Sequence, residues 1–220
     1  ARAMLDDLGV KVAAYAYSIG NVEDGADHDF AVIASVPRTN TVRSADQATA
    51  ARMEDEILRA KEEGDSVGGV VRCLVAGVPL GVGEPFFDTV EGELAKILFS
   101  IPAVKGVEFG AGFRAARMRG SEHNDPFTIE DGKIVTATNN AGGVLGGISN
   151  GMPLDFRVAF KPTASISREQ RSVDLDELSE TNLRIEGRHD PCIVPRAVIV
   201  VEAAAALVLA DLCQRGGFFA

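Results

Sequence analysis

The sequence predicts an α+β fold, and three observations carry that prediction. Stretches of strand character and stretches of helical periodicity are interspersed from end to end, not gathered into separate halves. Hydrophobic residues are 46% of 220 and charged residues 25%, a composition that supports one buried core and a single domain over residues 1–220. No self-similarity appears at solenoid periods.

The elements follow in order. Ala1 to Gly9 reads as the end of a helix with Gly9 as its C-cap and no N-cap before it. Val10 to Ile19 alternates small and apolar residues and predicts a strand; Ala31 to Val36 predicts a second. SADQ at Ser44 has the form of a capping box and opens a helix that runs to Glu63 and stops at Gly64. Gly68 to Val75 is a strand closed by Gly77 and Pro79. Thr89 opens a helix with Glu91 and Glu93 near its positive end, and Pro102 ends it. Gly106–Phe113, Lys133–Ala137 and Leu154–Phe160 are strand-like. Ser165 to Glu186 is polar and charged and predicts a mobile excursion. Arg196 to Gln214, rich in alanine and leucine, is the clearest helix.

Net charge is −10, which argues against nucleic acid or an anionic membrane surface as the main partner. Arg157, Lys161, Arg184, Arg188 and Arg196 gather in the last third, a pattern that suits a small anionic ligand. Cys73, Cys192 and Cys213 form no close pair; they suit a reducing compartment and give no metal-ligand spacing. The longest apolar run, Ala197 to Ala210, contains Glu202 and is short for a bilayer span.

Thr138 to Gly151, TNNAGGVLGGISNG, crowds five glycines among asparagine and serine. Ordering glycine is entropically costly, so the run points to close backbone approach, by a flat polar cofactor or an oxyanion. It is neither a dinucleotide fingerprint nor a P-loop, because it lacks GxGxxG spacing and a closing Gly-Lys-Ser/Thr. His28 predicts a solvated position, His123 a hydrogen-bonding loop residue, and His189 is not expected to be a catalyst.

Seven segments in order complete the picture: GDSVGG from Gly64, GVGEPFFD from Gly81, SIPAVKGVEFGAGF from Ser100, RGSEHND from Arg119, NNAGGVLGGISNGMP from Asn139, FKPTASI from Phe160 and GRHDPCIVPRAV from Gly187. Together they resemble chorismate synthase. The resemblance implies an incomplete β-α-β sandwich and a carbon–oxygen lyase of the shikimate pathway. That enzyme eliminates phosphate from 5-enolpyruvylshikimate 3-phosphate by anti-1,4 geometry to give chorismate. It further implies reduced FMN as cofactor, NADPH as a possible reductant, a homotetramer when complete, and a cytoplasmic setting.

By the same resemblance, Pro102, Ala103, Gly146, Lys161, Pro162, Thr163, Ala164, Ser165 and Arg188 contact the flavin. Arg188 also faces substrate, and Asp190 manages a proton. The family's GESHG-like segment, its catalytic histidines, several phosphate-binding arginines and the GRxSARET stretch are not among these residues. The chain is therefore expected to be a C-terminal portion that is inactive alone. A non-catalytic flavin-binding module and an assembly subunit built on the Arg196–Gln214 helix are the alternatives.

Overall fold

The computed structural model describes residues 1–219. Helix α1 (Arg2–Asp7) leads into strand β1 (Lys11–Ile19), and β2 (Val22–Glu23) turns back along it. Helix α2 (Phe30–Ser35), a 3-10 turn over Val36–Arg38 and helix α3 (Gln47–Glu62) precede β3 (Gly69–Ala76). Helix α4 (Val90–Ser100) then feeds β4 (Val104–Phe109). After a 3-10 turn over Gly112–Arg117 comes α5 (Gly120–His123). Hairpins β5–β6 (Phe127–Glu130, Lys133–Thr136) and β7–β8 (Val144–Leu145, Ile148–Ser149) follow. Strand β9 (Leu154–Phe160), hairpin β10–β11 (Gln170–Asp174, Ser179–Leu183) and the long helix α6 (Val194–Arg215) finish the chain.

Strands β2-β1-β3-β9-β4 form one antiparallel sheet. Alternation along the strands decides its two faces. Ala14, Ala16, Val71, Cys73, Val75, Leu154, Phe156, Val158 and Phe160 point into the main core with α4 and α6. Ala13 and Tyr15 point the other way, under Ile33 of α2 and Ala45. Charged residues stand beside them on that second face. Arg72 stands directly opposite Arg157 across β3 and β9, a repulsive placement unless each cation has its own carboxylate. Arg72 forks onto Asp155 at 2.9 and 2.7 Å, and Arg157 pairs with Glu108 at 2.9 Å. Burial pushes the Tyr15 hydroxyl, next to Arg72, up to about 12.

Helix α6 is long and apolar enough to cross a bilayer by length and composition, but 67% of its most apolar window is buried in the fold. Its one buried carboxylate, Glu202, is 2% exposed. One oxygen accepts the Ala14 N–H at 2.9 Å, and the other meets Arg2 at 2.6 Å and Arg38 at 3.5 Å. The charge is therefore paired and the edge amide of β1 is satisfied in one contact.

Four expectations are corrected. Ala31–Val36 is helical, not a strand: a short apolar run does not distinguish the two by periodicity, and the segment closes into α2 before Pro37. The cap of α3 is not Ser44 but Asp46, whose carboxylate accepts the Thr49 N–H at 2.6 Å, while Gln47 is the first helical residue and turns to Thr39. The strand expected over Gly106–Phe113 lies at Val104–Phe109, and a 3-10 turn takes over from Gly112. The excursion Ser165–Glu186 carries the ordered ladder β10–β11.

Glu202→Ala should lower the denaturation free energy by about 2–4 kcal/mol, since it leaves a cavity and a buried N–H without an acceptor. Glu202→Gln, which keeps the acceptor, should cost less than half of that in the same urea titration. Equal losses would show that the Ala14 bond contributes nothing.

Candidate functional site

One end of the sheet gathers most of the residues that the sequence singles out. Val104 opens β4 directly opposite Phe160, the last residue of β9. The next amide, Lys161 N–H, donates to Ala103 O at 2.9 Å. Gly69 opens β3 on the other side of Phe160. A Cβ on Gly68 would sit 2.4 Å from Phe160 O, so the approach of these two chains requires glycine there. Ser66 Oγ donates to Thr163 O at 2.6 Å and fixes the Lys161–Ser165 strap. Val67 N–H donates to Pro191 O at 2.8 Å, which brings Arg188–Pro191 to the same place. Ser167 and Arg168 amides close on Gly64 O, and Arg168 pairs with Asp65 at 2.9 Å. The Ser66 N–H and then Arg168 hold the Asp65 carboxyl below its ordinary range.

A cleft of about 240 Å³ lies between these pieces, walled by Lys61, Asp65, Ser165, Ser167, Arg188 and His189. Thr163 Oγ1 and His189 Nε2 are buried with no hydrogen-bond partner. Such orphans are costly unless a ligand answers them. Ala103 holds φ +72°, a left-handed conformation that an alanine adopts only under constraint. Asp190 Oδ2 is paired with Arg196 Nη1 at 2.8 Å, on the first turn of α6. Cys192 follows, its thiol pushed up to about 11 by burial, so it stays protonated and unreactive at neutral pH.

Pro102, Ala103, Lys161, Pro162, Thr163, Ala164, Ser165, Arg188 and Asp190 therefore share one neighbourhood. Gly146 does not. It lies in the β7–β8 turn, whose Gly147 O accepts Val90 N–H at the N-terminus of α4. Ala103 follows the C-terminus of the same helix, so the two are about 16 Å apart at a rise of ~1.5 Å per residue. The expected basic cluster is also divided. Arg157 belongs to the charged sheet face with Glu108, and Arg196 serves Asp190.

The glycine run departs from its reading as bare N–H groups open to a ligand. A Cβ on Gly142 would meet Gly110 N at 2.5 Å, so the run lies backbone to backbone on the end of β4. Only Gly146 and Gly151 of the run have free space above them. Asp125 anchors its start, accepting from Thr138 Oγ1 at 2.6 Å, Asn140 N at 2.7 Å and Ala141 N at 2.9 Å. Burial acts to raise the Asp125 pKa, but these hydrogen bonds outweigh it and hold it below 3.8.

Sequence reasoning missed three contributors. Ser66 and Val67 act through a hydroxyl and a peptide bond, and their only signal was membership of GDSVGG. Arg196 belongs by sequence to the basic cluster, whereas its partner is six residues back. His28, expected in solvent, is tucked against Tyr15 and bonds both oxygens of the buried Asp24 at 2.9 Å.

An α+β chain built on a five-stranded antiparallel sheet, with a polar cleft at the end of its central strands, defines the class of fold. Comparison with known proteins makes the class specific. A family model described as chorismate synthase matches residues 1–213. A chorismate synthase of Dehalococcoides mccartyi is 51% identical over 226 residues, covering 99% of this chain and 59% of that protein. One of Korarchaeum cryptofilum is 51% identical over 219 residues, covering 96% and 58%. A solved structure described as "Crystal Structure of Chorismate Synthase" matches with TM-score 0.79 and 30% identity, over 96% of this chain and 59% of that one. The chain belongs to the chorismate synthase family, and it spans about three fifths of the length of these relatives.

Two measurements check the geometry. Ala103→Gly should relieve the positive φ and stabilise the chain by about 1 kcal/mol, and Ala103→Val should destabilise it by more; the opposite order in denaturant midpoints would refute the strain. Asp125 is the depressed-carboxylate case, so its contribution is complete above 3.8 and is lost as pH falls through its lower folded value. Amide shifts of Asn140 and Ala141 should move together below that pH, and Asp125→Asn should abolish the transition.

Proposed function

We propose that this chain forms the flavin-holding wall of a chorismate synthase. The reaction is the anti-1,4-elimination of phosphate from 5-enolpyruvylshikimate 3-phosphate to give chorismate. The observation that carries the reading is the convergence of Ala103, Lys161–Ser165 and Arg188–Asp190 at one sheet end, with Thr163 Oγ1 and His189 Nε2 buried and unanswered there. Those orphans, an exposed lysine and an exposed arginine fit a flat, polar, anionic cofactor.

In this reading Pro102, Ala103, Lys161, Pro162, Thr163, Ala164, Ser165 and Arg188 hold reduced FMN, and Gly146 offers an open backbone at the far end of α4. The bound flavin would supply electron density to a substrate losing phosphate. Arg188 offers a rigid fork of donors to the departing phosphate oxygens, where negative charge grows. Asp190 is oriented by Arg196 through Oδ2, which leaves Oδ1 to accept or relay the ring proton. NADPH or an outside donor would reduce the flavin, and the complete enzyme would be a cytoplasmic homotetramer.

The GESHG-like and GRxSARET segments that the resemblance assigns to the substrate side are not among these 220 residues. The chain alone should therefore bind FMN weakly and release no phosphate. In a protein carrying both those segments and this chain, Asp190→Ala should cut phosphate release by roughly 10²–10⁴-fold. Arg188→Ala should weaken flavin binding as well. Full turnover in the doubly substituted protein would end the assignment.

A further inference from the structure

Three consecutive residues between α3 and β3 each hold a different wall of the cleft. Asp65 pairs with Arg168, at the root of the β10–β11 ladder, at 2.9 Å. Ser66 Oγ donates to Thr163 O at 2.6 Å, in the strap that follows β9. Val67 N–H donates to Pro191 O at 2.8 Å, beside the Asp190 turn. Gly64 O, just before them, accepts the Ser167 and Arg168 amides at 2.9 and 3.2 Å. The segment has a rigid support on each side. Helix α3 ends at Glu62, and β3, the middle strand of the sheet, begins at Gly69.

These holds are not equivalent. The strap is fixed at its start by Lys161 N–H on Ala103 O and at its end by Ser167 N–H on Gly64 O. Between them, Pro162 has no N–H to give. Among the described residues, the Ser66 hydroxyl makes the only hydrogen bond that reaches Pro162–Ile166 from another element. Its acceptor lies on the residue whose Oγ1 is buried without a partner. Carbonyl and hydroxyl share that residue, so a bond that holds the Thr163 peptide plane also limits where Oγ1 can stand. Ser66 is half-buried, so water can answer Thr163 O if the hydroxyl is removed. Loss of the bond therefore costs little in folding, yet it frees the middle of the strap to shift.

We infer that Ser66 is a positioning residue for the cofactor: its hydroxyl pins the strap at one point and aims Thr163 Oγ1 into the site. The inference rests on the flavin reading of the cleft. It adds to that reading a residue that touches no ligand itself and acts through a main-chain carbonyl. Hydrogen bonds weaken steeply with distance and angle, so a donor on a loose strap binds poorly. A strap held in place beforehand also spares the ligand the entropy of ordering it.

A double-mutant cycle tests it in a protein that carries this chain together with the GESHG-like and GRxSARET segments, by fluorescence titration with oxidised FMN. Ser66→Ala and Thr163→Val should each raise the FMN Kd by roughly 3–10-fold, with urea midpoints close to wild type. The double variant should lose less than the product of the two single losses, because the hydroxyl at 66 acts through the one at 163. Methyl relaxation in the flavin-free protein gives a second readout. Ser66→Ala should lower the order of the Thr163 methyl and leave the buried methyls of Val71 and Val158 unchanged. Wild-type affinity in Ser66→Ala, single losses that multiply, or an unmoved Thr163 methyl would each overturn the role of Ser66 and leave the flavin reading standing. A wild-type protein that binds no FMN would overturn both.

Discussion

The structure depends most on how α6 lies across β1 and β3. Thirteen of its residues are buried, and a single carboxylate, Glu202, ties it to the Ala14 amide. Burying an apolar helix alone would leave its position along the sheet loosely defined, because hydrophobic contact has no direction. A buried hydrogen bond does have direction, and leaving it unmade is costly. The first turn of α6 follows Asp190–Ile193 without a break. Fixing the helix on the sheet therefore also fixes where Asp190 and Arg188 stand. The Val67–Pro191 bond then sets the last few ångströms.

Much of the frame was legible because its signals are local. β1, β3, β9, α4 and α6 announce themselves by alternation, by a Thr89 cap or by an alanine-rich run, and all five are present close to the expected bounds. The misread elements are those where two local rules compete. Ser44 and Asp46 are both capping types, and the carboxylate takes the Thr49 amide. Phe30–Ser35 is apolar enough for either a strand or a helix, and a neighbouring proline turn decides it. Of the candidate site, the side chains were legible from the seven ordered segments. The peptide bonds that join them were not, since a contact such as Lys161 N–H to Ala103 O has no residue signature.

The glycine run shows how one composition can serve two ends. Its abundance of glycine first suggested exposure to a ligand, yet most of the space above those residues is filled by the protein's own backbone. Gly142 faces the Gly110 backbone and Gly143 the Pro153 backbone, while Gly147 faces the Thr89 side chain. Close packing of main chain on main chain is an alternative use of the same freedom. What remains open, at Gly146, is a narrow window that the surrounding glycines position. Asp125 holds the beginning of the run, so the window is set by a carboxylate some twenty residues away in sequence, on the scale of an ordinary loop closure.

The β10–β11 ladder has a consequence for the site. Lys161–Ser165 and Arg188–Asp190 lie side by side, yet roughly twenty residues separate them in sequence. A flexible connection of that length would carry a closure penalty of a few kcal/mol and leave the cleft variable in width. The five paired positions of β10–β11 zip most of that connection onto itself. Only short segments then run from the ladder's root to each half of the cleft. The root is fastened in turn, since Arg168 pairs with Asp65 and Ser167 N–H bonds Gly64 O. Anything that steadies the ladder thereby steadies the spacing between the strap and the Asp190 turn. Cleft width is thus set through the same few backbone bonds that fasten the ladder.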